Sequence, residues 1–540
     1  MSSLAPSRGD TPPPGAKPVN KWLVALSVTF GTLMGTIDSS IVNVATPHLR
    51  GAMSATVQEI TWVTTGFVIA NVIVMPLTAF LGRLFGQKQV YQTALLLFVI
   101  GSGLCGLARS LPMLVIFRFI QGLGAGALQP TEQAILRQTF PPHEQGMAMA
   151  LFGVAVVIGP AFGPTLGGYI VDNYSWEWIF YINLPVGALA LFMVARFVHE
   201  PEDIRIANLA QAERQRKSMD WAGISLLAIG VASLQYVLEE GNRLDWFDSR
   251  AIVILSAVCA VACAAFIVRE LTAPVPAVRI QLFLDPVFSS GTLIGAVMFA
   301  MLLSLTFLLP VFMQELLGYT AVQTGVALMP RALTMMVMMP IVGRLYNKVS
   351  PRMTVAFGVL LFVVTAYIMS RYTLQTTTGD VMLVLVLQGV AFSCLFIPLT
   401  TVALANIPRH QLADATGLNS LLRQIGGSIG LAVFASLIPR FDQAARTSLV
   451  AHLGETRPEA LARLSRITGM LQSRGYSAEN AREAAERMLG GLVERQAVVL
   501  SFEKLFLLAG IIFLVVLPLL IFLKAAKGQP PVKVEAHAEI

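Results

Sequence analysis

Two charged side chains of this 540-residue chain lie inside long apolar stretches. Asp38 stands nine residues before Pro47, and Arg118 stands six residues after Pro112. If both stretches are helices that cross a membrane in opposite directions, the helical rise places the two side chains about 13 Å and about 9 Å from the same face. Ionisable groups inside hydrocarbon are costly, so both residues are functional candidates, and they could meet inside a helix bundle.

A carboxylate and a guanidinium at similar depth can act as a proton switch. Desolvation and a nearby cation act in opposite directions on the proton affinity of a buried carboxylate. If a conformational change alters that balance, Asp38 takes up a proton from one side of the membrane and releases it to the other. The alternative is a static pair of Asp38 and Arg118 that only fixes helix packing.

Four further ionisable residues occur in apolar stretches. Arg331 and Arg423 have no acidic residue within one helical turn. They either attract anionic substrates or satisfy backbone carbonyls and contacts between helices. Glu132 and Asp414 lie nearer the ends of their stretches, and Glu132 either gates an entrance for cations or is an interfacial carboxylate that reaches water.

The composition requires a membrane protein. Apolar residues make up 55% of the chain and charged residues 13%, and the four cysteines all lie in apolar stretches. Because a soluble protein is about a quarter charged, a cytosolic enzyme, a secreted disulfide scaffold and a disordered regulator are excluded. Fourteen apolar runs are long enough to cross a bilayer. We therefore predict an all-α membrane protein with fourteen transmembrane helices.

The distribution of lysine and arginine predicts the orientation. With a cytoplasmic N-terminus, the inward segments carry 20 such residues and the outward short loops carry 5. The positive-inside rule therefore predicts that both termini are cytoplasmic in a multi-pass protein. The net charge of +7 then reflects topology rather than binding to nucleic acid.

An internal repeat predicts two halves. Pro76 and Pro340 lie in similar segments 264 residues apart, and two further matches follow in the same order at offsets of 267 and 271. Each match pairs a span with the span eight places later, so a six-span half occurs twice in parallel with two spans inserted between the copies. The predicted organisation is a cytoplasmic tail (1–20), a first bundle (21–199), linkers with two additional spans at about 221–268 (200–284), a second bundle containing an extracytoplasmic loop at 440–498 (285–525), and a cytoplasmic tail (526–540).

Several motifs resemble those of a known transporter family. The segments IDSSIVNVATP, RFIQGLGAG and GPAFGPTLGG are similar to signatures of the major facilitator superfamily, in its fourteen-span drug:proton antiporter branch of EmrB/QacA type. DNYSWEWIFYINLPVG and SLQYVLEEGNRLDWF are closest to the EmrB subgroup. The resemblance covers about 22–525 and implies two six-helix bundles that exchange protons for drugs by alternating access, with coupling at Asp38 and Arg118.

The resemblance also implies residues that support the conformational change. Glycines spaced by four permit close helix approach, and prolines bend a helix. The residues assigned to this conformational motif are Gly122, Gly126, Gly159, Pro160, Gly163, Pro164, Gly167 and Gly168.

A second motif of the family stands in the loop after the second span, at Arg83, Gly86 and Lys88. Here the sequence departs from the pattern, because Arg83 stands where the family has an aspartate. The charge relay attributed to this loop is therefore open for this chain.

Polar residues on the spans that line the cavity in this superfamily are candidates for substrate contact. Each of them is alternatively a packing residue or a residue that faces lipid. The candidates are Asn43, Thr64, Gln129, Gln314, Arg331, Gln388 and Arg423.

The expected function is export of hydrophobic toxic compounds or antibiotics from the inner membrane by proton antiport. The alternative is a dedicated exporter of one metabolite, such as a fatty acid, a siderophore or a self-made antibiotic. We expect no enzyme activity, cofactor or metal, because the histidines lie outside the span interiors and no phosphate-binding loop occurs. The loop 440–498 holds two helix-like stretches of mixed charge, 458–475 and 477–496, which we expect to be solvated helices. The loop either docks a periplasmic membrane-fusion adaptor with an outer-membrane channel or is a spacer.

Overall fold

The computed structural model describes residues 20–200, 204–206, 220–274, 276–451 and 458–523. The predicted tails lie outside this part except for Asn20, as do most of the linker after the first bundle and the short stretch 452–457 of the extracytoplasmic loop. In the described residues the secondary structure is entirely helical. The all-α prediction is confirmed.

Fourteen helices in the described part of the chain are long and apolar enough to cross a membrane, as predicted. We number them in chain order. They are α1 (Lys21–Ala52), α2 (Val57–Phe85), α3 (Gln87–Gly106), α4 (Leu111–Thr139), α5 (Pro142–Asn173), α6 (Trp178–Phe197), α7 (Trp221–Glu240), α8 (Arg250–Thr272), α9 (Pro286–Leu316), α10 (Val322–Leu345), α11 (Pro351–Met369), α12 (Thr378–Val402), α13 (Arg409–Ala451) and α14 (Ala478–Phe522).

The internal repeat extends to the helix caps. Thr56 caps the start of α2 and Thr320 caps the start of α10, each with a capping box completed by Glu59 or Gln323. The two threonines are 264 residues apart, which is the offset that also separates Pro76 from Pro340. The two halves therefore use the same local device to satisfy the first backbone N–H groups of an equivalent helix.

The helices form two bundles of six, α1–α6 and α9–α14, with α7 and α8 outside them. Within the first bundle, α1 packs on α5 and α4 packs on both α2 and α3. The additional helix α7 contacts α2 of one bundle and α13 of the other. Gln235 of α7 donates to Ser428 of α13 at 2.9 Å, so the added pair of helices is attached to the second bundle by a buried hydrogen bond.

The bundles meet at the end where α1 begins, which the sequence predicts to be cytoplasmic; we call it the predicted cytoplasmic end. Gly146 of α5 lies against the backbone of Gly343 of α10.

Three hydrogen bonds also join the bundles at this end. They run from Asn347 to the His143 carbonyl, from Arg137 to the Leu404 carbonyl and from Arg409 to the Gln138 carbonyl. Further into the bundle, Phe152 of α5 stacks on Phe396 of α12 with ring centroids 6.0 Å apart.

The structure differs from the prediction in the segment 440–498. Two separate helices are expected beyond the membrane, at 458–475 and 477–496. The first is present as Pro458–Ser473, but the second is the beginning of α14, which is continuous from Ala478 to Val516 before a terminal 3-10 segment. Leu471 packs between the two helices against Ala481 and Ala485, so they form a small hairpin with its own apolar contact.

Candidate functional site

Asp38 and Arg118 are in direct contact inside the first bundle. Arg118 Nη1 lies 2.6 Å from Asp38 Oδ2, and the two side chains are 1% and 0% exposed. Asp38 is on α1 and Arg118 is on α4, so the pair connects two helices that run in opposite directions. The two charged groups therefore meet at one depth within the bundle.

Two amides complete the coordination of the Asp38 carboxylate. Gln121 Nε2 donates to Asp38 Oδ1 at 2.9 Å, and Asn183 Nδ2 donates to the same oxygen at 2.8 Å. Asn183 also donates to Ser102 Oγ at 3.0 Å. Both carboxylate oxygens of Asp38 therefore accept hydrogen bonds, so this buried side chain has no unsatisfied oxygen.

Arg118 is held on its other sides as well. Its guanidinium carbon lies 4.0 Å from the centroid of the Phe67 ring, and Nη1 donates to Gln121 Oε1 at 2.8 Å. Nε donates to the Val63 carbonyl at 3.3 Å. The site is therefore a closed network of a carboxylate, a guanidinium and two amides, with an aromatic face beside the cation.

Gln121, Asn183 and Ser102 are not predicted from the sequence as site residues. A signal for Gln121 exists, because it follows Arg118 by three residues and such pairs share a helix face. Asn183 and Ser102 lie on α6 and α3, and nothing in the spacing connects them to Asp38. Only the packing of four helices around one point brings these side chains together.

The glycines of α5 lie against α1 close to the site. A Cβ on Gly159 would collide with Thr36, a Cβ on Gly163 would collide with Ser40, and a Cβ on Gly167 would lie 3.2 Å from Ile41. These three glycines therefore form the contact surface between α5 and α1, the helix that carries Asp38.

Gly168 belongs to the same predicted motif, but a Cβ added there would have no neighbouring atom within 4 Å, so this glycine is not part of the contact.

The prolines of α5 and the glycines of α4, which belong to the same predicted motif, have different environments. Pro160 and Pro164 of α5 are exposed. Gly122 and Gly126 of α4 lie against α2, where a Cβ would collide with the carbonyl oxygens of Phe67 and Asn71. Close approach of backbones thus fixes α4 as well as α1 around the ion pair.

The loop motif at the end of α2 connects the two bundles. Arg83 Nη1 lies 2.6 Å from Asp414 Oδ1 of α13, and Arg83 Nη2 donates to the Ala277 carbonyl at 3.2 Å. Lys88 instead donates to the Ala195 carbonyl at 2.9 Å. Gly86 has a φ of 88°, a conformation that favours glycine, and ends α2 so that the chain can turn into α3.

Two of the candidate cavity residues are buried cations in the second bundle. Arg331 Nη2 donates to Thr306 Oγ1 at 2.8 Å, while its Nη1 is buried without a hydrogen-bond partner among the described residues. The Arg423 guanidinium lies 5.0 Å from the Phe299 centroid and 5.4 Å from the Phe396 centroid. In the described part of the chain, no ion pair joins either arginine to a carboxylate.

The other cavity candidates are not brought together. Gln388 is buried inside the second bundle and donates to the Met369 sulfur at 3.1 Å, so it does not line a space between the bundles. Asn43 and Gln314 are exposed, and Thr64 donates to the Thr61 carbonyl of its own helix at 2.9 Å. Gln129 is partly buried on α4.

For Glu132, one of the two interpretations that the sequence allows is an interfacial carboxylate whose side chain reaches water. The structure shows that this interpretation is wrong. The side chain is 0% exposed, and its Oε1 accepts a hydrogen bond from Thr29 of α1 at 3.0 Å.

Comparison with known proteins places this architecture among membrane transporters. Residues 28–431 match the profile of the Major Facilitator Superfamily. The chain is 33% identical to the multidrug export protein EmrB of Escherichia coli K12 over 508 residues, covering 94% of this chain and 96% of that protein. It is 32% identical to the fatty acid resistance protein FarB of Neisseria gonorrhoeae, covering 92% and 94% of the two chains.

A solved structure shows the same fold. The crystal structure of the human organic anion transporter MFSD10 superposes with a TM-score of 0.57 and covers 92% of this chain and 99% of that one. The sequence identity between the two is 16%, so this likeness concerns the fold alone.

Proposed function

Because the chain belongs to the Major Facilitator Superfamily and to its EmrB subgroup, we propose that it is a proton-coupled exporter of hydrophobic toxic compounds or antibiotics. The observation that carries the proposal is the buried pair of Asp38 and Arg118. Glycines of α5 pack against α1, which carries Asp38, and glycines of α4, which carries Arg118, pack against α2. A buried carboxylate can take up and release a proton when its donors move, and α1 meets α5 along a smooth surface that permits such movement.

The contacts between the bundles support a defined conformation within this cycle. If both termini are cytoplasmic, the interbundle hydrogen bonds of Arg137 and Arg409 and the Arg83–Asp414 pair close the cytoplasmic end. This is the end from which an exporter takes its substrate. Opening this end would require that these contacts break and that contacts form at the other end. Alternating access therefore couples the state of the predicted cytoplasmic end to the environment of Asp38.

Transport in inside-out vesicles tests the function. An imposed proton gradient should drive ethidium uptake, and ethidium should in turn release protons from the vesicle lumen. We expect Asp38→Asn to lose both fluxes while it still binds ethidium. Asp172→Asn removes an exposed carboxylate of α5 and is the matched control, which should behave like the wild type.

The outcomes separate the alternatives. If Asp38→Asn transports like the wild type, Asp38 is structural and the coupling group lies elsewhere. If the wild type does not couple the fluxes of protons with those of ethidium or any other compound in a broad panel, the proposal of proton-coupled export is wrong.

A dedicated exporter of one anionic amphiphile, such as a fatty acid, is the second candidate. Arg331 and Arg423 favour it, because buried guanidinium groups without carboxylate partners in the described part of the chain suit an anionic ligand. One relative is named for fatty acid resistance. Competition between ethidium and a panel of anionic, neutral and cationic amphiphiles distinguishes the candidates, since a dedicated exporter responds to one class alone.

The hairpin of Pro458–Ser473 and the first turns of α14 is the proposed docking site for a periplasmic membrane-fusion adaptor, which would lead to an outer-membrane channel. It exposes Leu461, Met470, Met488 and Leu492, each more than two-fifths accessible. Replacing these four residues with Ser should abolish co-purification with a co-expressed adaptor while leaving ethidium uptake into vesicles unchanged. Unchanged co-purification would make the hairpin a spacer.

We also propose that the protein lies in the inner membrane with both termini in the cytoplasm. The bias of lysine and arginine supports this orientation. Cysteines placed singly at Ser2 and in the hairpin at Ser473 should differ in intact cells. A membrane-impermeant maleimide should label the hairpin position and not the terminal one, and the reverse pattern would overturn the assignment.

A further inference from the structure

Glu132 is a buried carboxyl group that the transport step proposed above does not use. It lies on α4, and its side chain is 0% exposed. Oε1 accepts a hydrogen bond from Thr29 of α1, but Oε2 is buried and has no hydrogen-bond partner in the described part of the chain. Asp38, in contrast, has donors on both oxygens and a guanidinium beside it.

Among the described residues, the cations on the neighbouring helices have other contacts. Lys21 of α1 pairs with Glu144, and the Arg423 guanidinium of α13 lies against the Phe299 and Phe396 rings. Arg83 of α2 pairs with Asp414 of α13, and Lys88 of α3 donates to a backbone carbonyl of α6. Arg137, on α4 itself, donates to Gln145 and to the Leu404 carbonyl.

The remaining ionisable neighbour is the Tyr91 phenol of α3, which donates to the Val28 carbonyl. Among the described residues, no cation forms an ion pair with Glu132.

These surroundings favour the neutral acid. Burial of a carboxylate without a cation has a large desolvation cost, whereas burial of a neutral carboxylic acid costs only the free energy of an unmade hydrogen bond. Thr32 follows Thr29 by three residues on the same face of α1, and its buried hydroxyl is also without a partner in the described chain. It offers an acceptor for the O–H group of a protonated Glu132.

We propose that Glu132 is a second proton-binding group of this protein, separate from Asp38 and occupied by a proton in the conformation described here. Both carboxyl groups lie where α1 meets α4. Their contacts on α1, at Thr29 and Asp38, are nine residues apart, so Glu132 lies about 13 Å closer to the predicted cytoplasmic end. Its part in transport rests on the proposed function, whereas its protonation does not.

The next residue links this proton to the opening of the bundles. Gln133 Nε2 donates to Ser420 Oγ of α13 at 3.2 Å, which is a contact between the two bundles. When the bundles separate at this end, the contact between Gln133 and Ser420 breaks. Water can then reach α4 next to Glu132. The acid then transfers its proton to water and becomes a hydrated carboxylate, which no longer carries the penalty of burial.

Infrared difference spectroscopy of the purified full-length protein in lipid nanodiscs tests the protonation directly. At neutral pH, the wild type should show the C=O stretch of a protonated carboxyl that shifts on exchange into D2O. Glu132→Gln should lose this band, and Asp38→Asn should keep it. Thr29→Val should keep the band but move it to higher frequency, because the C=O group loses the hydrogen bond from Thr29.

Two results would overturn the inference: a wild type without such a band, or a band that is the same in Glu132→Gln. Should Glu132→Gln fail to fold, the frequency shift in Thr29→Val still decides, since a band from another carboxyl would not move. In vesicles, Glu132→Gln should lower the number of protons moved per ethidium. An unchanged ratio in a transporting protein would remove Glu132 from the cycle, whereas absence of transport in the wild type would remove only the proposed function.

Discussion

Arg83 of α2 and Asp414 of α13 form an ion pair between the two six-helix bundles, with Nη1 and Oδ1 2.6 Å apart. Both side chains are almost completely buried, at 4% and 2% exposure. Arg83 stands at the position where the family's loop motif has an aspartate, so here the first bundle supplies the cation and the second bundle supplies the carboxylate. The departure in the sequence thus retains an electrostatic contact, with Arg83 as its positive partner.

Reversing the charges should show whether this pair holds the predicted cytoplasmic end closed. Arg83→Asp places two carboxylates together, so the closed state should lose stability and ethidium transport should fall by about tenfold or more, the equivalent of about 1.4 kcal/mol. The double variant Arg83→Asp/Asp414→Arg should recover part of the loss. Spin labels on the ends of α2 and α13 report the distance between the bundles.

The comparison with the double variant is the control for this experiment. Arg83 also donates to the Ala277 carbonyl, a bond that an aspartate cannot make. If the double variant transports no better than Arg83→Asp, the hydrogen bond to Ala277 matters and the ion pair does not.

The contact between α5 and α1 provides a second prediction with an internal control. Gly163→Ala puts a methyl group into Ser40, and we expect overpacking to destabilise the protein by about 1–3 kcal/mol and to slow transport. Gly168→Ala, five residues further along the same helix, adds a methyl group in open space and should change stability by less than about 0.5 kcal/mol. Thermal unfolding in detergent measures both, and equal effects would refute the role of this surface.

Removing the cation beside Asp38 should be more damaging than removing both charges. Arg118→Leu leaves a buried carboxylate without its cation and should cost about 3–5 kcal/mol of stability. In Asp38→Asn/Arg118→Leu the uncompensated charge is gone, so stability should recover while proton-coupled transport stays lost. A double variant as unstable as Arg118→Leu would mean that packing against Phe67, rather than charge, explains the loss.

Arg331 is expected to influence the charge preference of the substrate site. Arg331→Gln keeps the capacity to donate to Thr306 but removes the cation, so export of laurate should fall relative to export of ethidium. Thr306→Val removes the same hydrogen bond and keeps the charge, and it should leave the ratio of the two rates near the wild-type value. Equal loss of both substrates in Arg331→Gln would indicate a structural role.

The number and order of the spans followed from properties that a sequence carries locally. Apolar runs long enough for a bilayer, short polar loops and a repeat at a nearly constant offset were sufficient for fourteen helices and two bundles. The same reasoning failed at 477–496, because an amphipathic helix that continues into an apolar one has no break in its backbone to mark the membrane boundary.

For the candidate site, the sequence by itself did not establish that Glu132 is buried. It did place four charged groups inside the spans, because hydropathy locates the apolar runs and the helical rise gives the depth of a residue within them. Asp38, Arg118, Arg331 and Arg423 were found in this way. It also determined that glycines of α5 would permit close packing, although Gly168 cannot be told from its neighbours by spacing alone.

Tertiary structure decided which groups meet. Gln121 and Asn183 donate to Asp38 from two different helices, and Ser102 on a third helix accepts a hydrogen bond from Asn183. Asp414 reaches Arg83 from 331 residues away. The contrast between Asp38, which has a full set of donors, and Glu132, which has one, also exists only in the folded protein. Burial and hydrogen-bond satisfaction are properties of packed helices. The hydrophobic periodicity of a single helix does not show which face of another helix it packs against.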